Sequence, residues 1–487
     1  MVLITLAGLP GCREKRETIF DRVVSIPKEF VLDVPYLPPL CDELSGLKKG
    51  FVDIPGGKLY YEEEGYGIPL ILLNPGPGGS HQNFHPYFSR LNDIARVIYY
   101  DTRGVGKSTK DETGATYTIQ QSIEDLEFLR RTLGIDKWVV CGWSFGGFLA
   151  QCYALTYPER LIGLVLIASG HGDTNVKLKP GRERMFISQA ELDALQKIDK
   201  AFNEGKLNQV QTGYNKDLAG YWKFQGHYKP TREESIREAY IGPDQMLFKH
   251  LICRQMWQIN LDNKFDDFEV PTLLAEAKWD LTWDTDKAEF MRKAHPNAQF
   301  ELFEKSGHAI FADEPDKFFA IVRKFLEKTV HTKIVYKPGH RITLPEPPTG
   351  LELKLAAILS LSNQEEKEKK LLAVYQQAVK ENIADASAWK ELAFVFRGSE
   401  KSPETKHAAQ ALDAFNRYER YATQEELQES EHCLYVWRAQ LLEALGKRAE
   451  AVKNYQEALR KFKQVSNSCA QANRAWLEER IKKLRAT

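Results

Sequence analysis

No stretch of this 487-residue chain stays apolar for the ~20 residues that a membrane-spanning helix requires. Charge of one sign is missing too, because Lys and Arg total 67 and so do Asp and Glu. With no net field, composition gives no reason to expect nucleic acid or an anionic membrane as a partner. Cysteine is sparse, 7 in all, odd in number and scattered. That excludes the disulfide framework of a small secreted domain and fits reduced thiols in a cytoplasm. No Cys/His cluster has the spacing of a metal site, and no cofactor is implied. What is present is an ordinary globular composition, 43% apolar and 28% charged, on a chain long enough for roughly two to four domains.

The pattern along the chain divides it. The start, "MVLITLAGLPGC", has a short apolar run broken by Gly8 and Pro10 and no basic segment before it. It reads as a strand, with a leader peptide as the alternative. Residues 1–50 form an extension whose turn-rich "PYLPPLCDELSG" is expected on the surface. "GFVDIPGGKLYYEEEGYG" then reads as a hairpin, and "PLILLN", "RVIYYD", "KWVVCG", "LVLIAS" and "PTLLAEA" read as strands buried on both faces. Helical stretches such as "TIQQSIEDLEFLRRTLG" alternate with them, which is the pattern of a doubly wound α/β domain. Its two parts are 51–169 and 268–330. The polar, aromatic-rich block 170–267 between them is far longer than a strand–helix connection and reads as a helical cap. A Pro/Gly linker follows at 331–350.

Everything from 351 to 487 is helical in spacing. Trp389, Leu392, Ala393 and Phe396 sit where a tetratricopeptide helix carries its Trp, Leu, small residue and Tyr. Ala439, Leu442, Gly446, Ala451, Tyr455 and Ala458 follow the same template, as do Tyr375 and Ala378. The spacing is irregular, since Trp389 and Trp437 lie 48 apart (437 − 389) against ~34 in the standard unit. A helical bundle using Ala and aromatics as packing is the plainer alternative. A repeat array would offer a concave surface to a protein partner or to a second copy of the chain.

The chemistry-bearing stretch is "KWVVCGWSFGGFLAQCYAL". Ser144 stands between Gly142 and Gly146, after a strand and before a helix, as a nucleophile elbow requires. A Gly-rich structural turn would account for the glycines but not for the partners further on. Asp280 follows the strand "PTLLAEA" and His308 follows "AQFELFE", giving the order Ser144, Asp280, His308. Asp284 and Asp286 are alternative acids deeper in the following segment. A developing oxyanion needs two backbone N–H donors, and Phe145 supplies one. In "NPGPGG" the prolines Pro75 and Pro77 have no N–H, leaving Gly76 as the other. Two phosphate-loop lookalikes fail: "TRGVGKST" has Asp101 where glycine is needed, and "AGLPGCREKRE" has Arg13 and Glu14 where Gly and Lys are needed.

These segments resemble the α/β-hydrolase fold, and within it the proline iminopeptidase group of serine peptidases. The resemblance spans roughly residues 50–330, with the cap matching by position only. It implies a serine hydrolase acting through an acyl-enzyme, releasing N-terminal proline or another small residue from a peptide. It also implies that Asp101 and Arg103 brace the elbow. The family usually has His-Gly-Gly-Pro-Gly where this chain has Asn74-Pro75-Gly76-Pro77-Gly78, and often Trp where this chain has Phe145. An aminopeptidase must bind a free amine, so Glu191, Glu204, Glu233 and Glu234 of the cap, with Trp143 beside the nucleophile, are the candidate substrate contacts. Solvated helix surface is the plain alternative for each glutamate. Two other readings stay open: an esterase or thioesterase acting on small acyl substrates, and a repeat-type interaction protein carrying a non-catalytic hydrolase scaffold.

Overall fold

The computed structural model describes residues 17–21, 24–171, 186–241, 245–282, 287–332, 334, 342–361, 363–398, 406–461 and 474–486. The opening "MVLITLAGLPGC", Asp284, Asp286 and residues 335–341 of the expected linker lie outside these. The chain divides into two compact units, Met1–Pro347 with Ser362–Gln364, and Pro348–Leu361 with Glu365–Thr487.

The first unit is built on one sheet of eight strands: β1 (Lys48–Ile54), β2 (Gly57–Glu64), β3 (Ile68–Leu73), β4 (Ala95–Tyr100), β5 (Trp138–Trp143), β6 (Leu161–Ile167), β7 (Thr272–Ala277) and β8 (Gln299–Phe303). Their spatial order is β1-β2-β4-β3-β5-β6-β7-β8. The β1–β2 and β2–β4 pairs are antiparallel, and every pair from β4–β3 to β7–β8 is parallel. Parallel neighbours need crossover connections, and helices such as Ile119–Thr132, Phe145–Thr156 and Pro315–Thr329 cover the faces. Every residue of β5 and β7 is buried, which is why these strands read as unbroken apolar runs. The helix Ile119–Thr132 begins where the Thr118 side chain accepts from Gln121 N, and Gly134 takes φ +68° just past its end.

Between β6 and β7 lie the helices Gln189–Asn203, Gln209–Leu218, Trp222–Gln225, Arg232–Ile241 and Met246–Met256. The N-terminal extension binds to this block. Thr18 bridges Tyr228 in antiparallel fashion, Ile19 N donates to His227 O (3.0 Å), and Lys229 N donates to Glu17 O (2.9 Å). Ile19 is wholly enclosed. Further on, Asn215 Oδ1 accepts from Val31 N and its Nδ2 donates to Val31 O, both at 2.9 Å. One residue of the turn-rich stretch departs from the surface expectation: Cys41 is fully buried, with its Sγ 4.0 Å from His81 Nε2. A small apolar thiol behaves as a core residue when its neighbours leave a gap.

The second unit contains the helices Gly350–Leu359, Gln364–Glu381, Ala386–Arg397, Ala408–Tyr421, Gln424–Ala444, Arg448–Lys461 and Arg474–Ala486. Asp385 caps the third of these, and Thr349 and Thr423 form capping boxes with Glu352 and Glu426. Trp389, Leu392, Ala393 and Phe396 lie in one core cluster, and Ala439, Tyr455 and Ala458 in another. Among the described residues no helix is long and apolar enough to cross a membrane.

Candidate active site

At the carboxyl end of β5 the chain turns sharply into the helix Phe145–Thr156. Ser144 sits at the turn with φ 57° and ψ −118°, a backbone conformation that a residue with a side chain rarely adopts. The neighbouring glycines make this turn sterically possible. A Cβ on Gly142 would lie 2.2 Å from Gly146 O, and one on Gly146 would lie 2.0 Å from Leu73 O. The second approach is also what draws the start of the loop after β3 against the start of the helix. The Ser144 N–H donates to Ile167 O (2.9 Å), and its own carbonyl accepts from Gly170 N (3.2 Å). The Ser144 turn is thereby fastened to β6.

His308 and Asp280 come from turns after adjacent strands and meet: His308 Nδ1 is 2.8 Å from Asp280 Oδ2. Both are buried, and Asp280 Oδ1 accepts from Thr282 N (2.9 Å). Burial works against the charge on Asp280, yet attraction and hydrogen bonding from His308, with help from Lys287, hold its carboxyl below the usual value. A carboxylate on Nδ1 favours the tautomer in which Nε2 is the acceptor nitrogen. Trp143 joins this pair to the elbow, since its indole Nε1 donates to His308 O at 3.0 Å. The residue immediately before Ser144 thus holds the histidine's own backbone.

The loop after β3 is pinned at its root by Asn74 Nδ2, which donates to Tyr100 O (2.6 Å). Gly76 takes φ +122°, and a Cβ there would lie 2.6 Å from Gly78 N. Phe145 opens its helix, so its N–H belongs to the first turn, which lacks intrahelical acceptors. Asp101 and Arg103, expected to brace the elbow, bond instead to the loop after β3 and to the helix Ile119–Thr132. Asp101 Oδ1 accepts from both His81 N and His81 Nδ1 (2.8 Å each), and Oδ2 accepts from Lys107 N (2.8 Å). Arg103 makes a two-pronged pair with Asp125 of the helix Ile119–Thr132 (2.7 and 2.8 Å).

The cap glutamates are placed differently from one another. Glu204 is exposed at the end of its helix and pairs with Lys206 (2.7 Å). Glu233 is exposed and pairs with Arg237 (3.0 Å), and Glu234 caps its helix by accepting from Thr231 N (2.6 Å). Glu191 is buried, where it accepts from Ser188 N and pairs with the enclosed Lys223 (2.8 Å). Each therefore has a local structural task.

Two acids that sequence reasoning passed over secure the histidine loop. Asp313 Oδ2 accepts from Gly307 N and from His227 N of the cap, both at 2.8 Å. Glu314 Oε2 accepts from Lys305 N (2.8 Å) and Ser306 Oγ (2.7 Å). The available signal was "ADEP", two carboxylates one turn beyond His308 at the start of a helix.

Fold and site together define a hydrolase of the α/β class. The chain belongs to the alpha/beta hydrolase fold family, whose sequence pattern matches residues 69–315. Among curated relatives, the proline iminopeptidase of Saccharolobus solfataricus is 27% identical over 301 residues, 59% of this chain and 95% of that protein. The cis-3-alkyl-4-alkyloxetan-2-one decarboxylase of Shewanella oneidensis is 27% identical over 327 residues, 62% of this chain and 96% of that one. Among solved structures, the proline iminopeptidase of Mycobacterium smegmatis superposes with a TM-score of 0.47 at 20% identity, covering 58% of this chain and 98% of that one. The first unit is proline iminopeptidase-like, and the C-terminal region is all-helical.

Proposed function

We propose that the first unit is a serine hydrolase working through an acyl-enzyme, and that its substrates are peptides with a free N-terminal proline or small residue. The observation that carries the first part is the buried Asp280–His308 pair, held by Trp143 against the strained Ser144 turn. Ser144 attacks the carbonyl carbon, while His308 Nε2 takes the hydroxyl proton and later delivers it to the leaving amine. Asp280 stabilises the imidazolium formed in between. The N–H groups of Gly76 and Phe145 receive the charge that develops on the carbonyl oxygen. Water then enters, His308 takes its proton, and the acyl group leaves as a free acid.

The aminopeptidase part is supported by proline iminopeptidase relatives that this chain covers almost end to end. One observation favours the ester or thioester reading instead. Glu204, Glu233 and Glu234 all face solvent, and Glu191 already carries Lys223, so none of these four carboxylates is reserved for an ammonium. For the second unit we propose a partner-binding or self-associating role through tetratricopeptide-like helices. A cytoplasmic setting is supported by the described cysteines, which are thiols.

A fluorophosphonate probe followed by peptide mapping tests the hydrolase. Labelling at Ser144, lost in Ser144→Ala, is expected; an unlabelled but folded protein points to a scaffold. Prolyl-anilide turnover abolished by N-acetylation is the expected aminopeptidase result, whereas turnover of acyl esters alone assigns the esterase reading.

A further inference from the structure

The loop that carries Gly76 runs on into a short 3₁₀ turn, His81–Phe84, opened by one histidine and followed by another, His85. Both imidazoles are buried, and each meets a carboxylate. His81 bonds Asp101 Oδ1 through its backbone N–H and its Nδ1, 2.8 Å each. His85 Nε2 lies 3.1 Å from Glu62 Oε2 of β2. The His85 ring also stacks on Tyr99 of β4, the cross-strand neighbour of Glu62, with centroids 4.0 Å apart. Glu62 has no exposed surface, a rare place for a glutamate unless it is paired. Its Oε1 accepts from the Tyr60 hydroxyl (2.5 Å) and lies 3.6 Å from both His81 Nε2 and Lys49 Nζ. Burial opposes its charge, yet the bonds from His85 and Tyr60 hold the carboxyl down to about 2. A buried charge with such partners seldom stabilises a fold more than a well-packed apolar side chain would. What Glu62 holds is therefore a better account of it than stability.

Between Asn74 and Ser80 the chain reads Pro75, Gly76, Pro77, Gly78, Gly79. None of these five has a side chain that can form a hydrogen bond, so the loop is aimed from its two ends. At the first end Asn74 is tied to Tyr100 O. At the second, the turn is bound back to the loop: Ser80 N donates to Asn83 Oδ1 (2.8 Å), Asn83 N to Ser80 O (3.1 Å), and Gly79 N to Pro75 O (3.0 Å). The last of these closes the loop across Gly76 itself. We propose that Glu62 is a positioning residue: by holding His85, while Asp101 holds His81, it fixes the turn from which the Gly76 N–H takes its aim. The inference rests on the reading of Gly76 as an oxyanion donor given above. Such a donor is effective only when it is already directed at the place where the charge develops. Strands make a more precise foundation for that than the loop alone could.

The test compares the full-length wild type with Glu62→Gln, His85→Phe and the double variant. Glutamine keeps the shape of Glu62 but offers one acceptor oxygen where Tyr60 and His85 need two, and phenylalanine keeps the stack on Tyr99 without a group for Glu62. Each single change should slow fluorophosphonate labelling of Ser144 about tenfold, part of the ~10²–10³ that one oxyanion donor supplies. On whichever probe turns over, prolyl-anilide or p-nitrophenyl butyrate, kcat should fall by the same factor with KM within about twofold, because the donor acts in the transition state. Both changes break one link, so the double variant should lose no more than about tenfold. Labelling at the wild-type rate by either folded variant, a loss carried by KM, or losses that multiply in the double variant overturns the proposal. Should Glu62→Gln lose native near-ultraviolet dichroism, His85→Phe alone decides by the same rate and kcat criteria. If the wild type is never labelled, the hydrolase reading fails, and amide exchange at Gly79 decides the link by itself. It should quicken in Glu62→Gln, and exchange at the wild-type rate overturns the link.

Discussion

Gly146→Ala should damage the site although it lies in a helix, where the same change ordinarily adds about 1 kcal/mol of helix stability. The new Cβ would stand 2.0 Å from Leu73 O, 2.5 Å from Leu73 C and 2.7 Å from Asn74 O, whereas real Cβ atoms essentially never come under 3.0 Å. The obstacles are backbone, so no side chain can rotate away. The helix and the loop after β3 must separate by about 1 Å, a displacement that at a reacting centre can cost about 10²-fold in rate. These two segments carry the Phe145 and Gly76 N–H groups, so the loss should fall on kcat more than on KM. Overpacking of this kind also lowers stability by about 1–3 kcal/mol. The assays are the second-order rate of fluorophosphonate labelling and the melting temperature. A Gly146→Ala protein that labels at the wild-type rate and melts at or above the wild-type temperature would show that the tight approach is not what holds the two donors together.

Other perturbations address different parts of the first unit. His171 Nδ1 and His295 Nε2 both bond Gln151 Oε1 at 3.0 Å, and burial pushes these imidazoles down to about 4 and about 3. Their folded values lie below the unfolded ~6.5, so their contribution is complete above that pH and fades as pH falls through it, at ~1.4 kcal/mol per unit for each. Half-buried Asp217 and Asp313, raised to about 6, act in the opposite sense. The measurement is therefore the difference in melting temperature between wild type and His295→Gln from about pH 7 to pH 5; it should narrow on acidification, and a constant gap refutes the assignment. Asp313→Ala leaves the Gly307 and His227 N–H groups without their acceptor, at ~1–3 kcal/mol each. Turnover per labelled Ser144 should fall and amide exchange at both residues should quicken, and protection retained at His227 would contradict that. Ile19→Asp puts a carboxylate into a wholly enclosed position and should make the cap segment around Tyr228 more sensitive to protease; cleavage at the wild-type rate would mean that the Thr18–Tyr228 bridge is dispensable.

The central strands were legible because both of their faces are covered. "KWVVCG" and "PTLLAEA" contain no polar alternation to confuse with a half-exposed strand or a helix, and β5 and β7 fall on them within a residue or so. β8 was harder. Its burial runs from exposed Gln299 to buried Phe303, as expected of an edge strand, and "AQFELFE" still reads as strand-like, which is what placed His308 in the loop after it. The placement of Ser144, Asp280 and His308 in the turns after β5, β7 and β8 was legible because a strand-end position is a local property of the sequence. The surroundings were not legible. Asp313 and Glu314 act on backbone N–H groups, which carry no residue-type signature, and the Glu62–His85 pair depends on a fold that brings β2 and the turn after β3 together. The cap glutamates were chosen for charge alone, and charge does not report whether a side chain caps a helix, as Glu234 does, or sits enclosed, as Glu191 does. The isolated bridge at Thr18 was invisible for a related reason, since its partner Tyr228 lies 210 positions away (228 − 18).

That separation has a consequence for biogenesis. Glu17 leaves the ribosome long before Lys229, which lies 212 residues later and receives it in the finished protein. Through that interval the nascent segment carries an unpaired β edge and a bare Ile19, both of which invite wrong partners. The chain therefore needs either swift elongation through the cap or a holdase that shields its beginning, and its yield should respond to chaperone supply more steeply than the stability of the finished hydrolase would suggest.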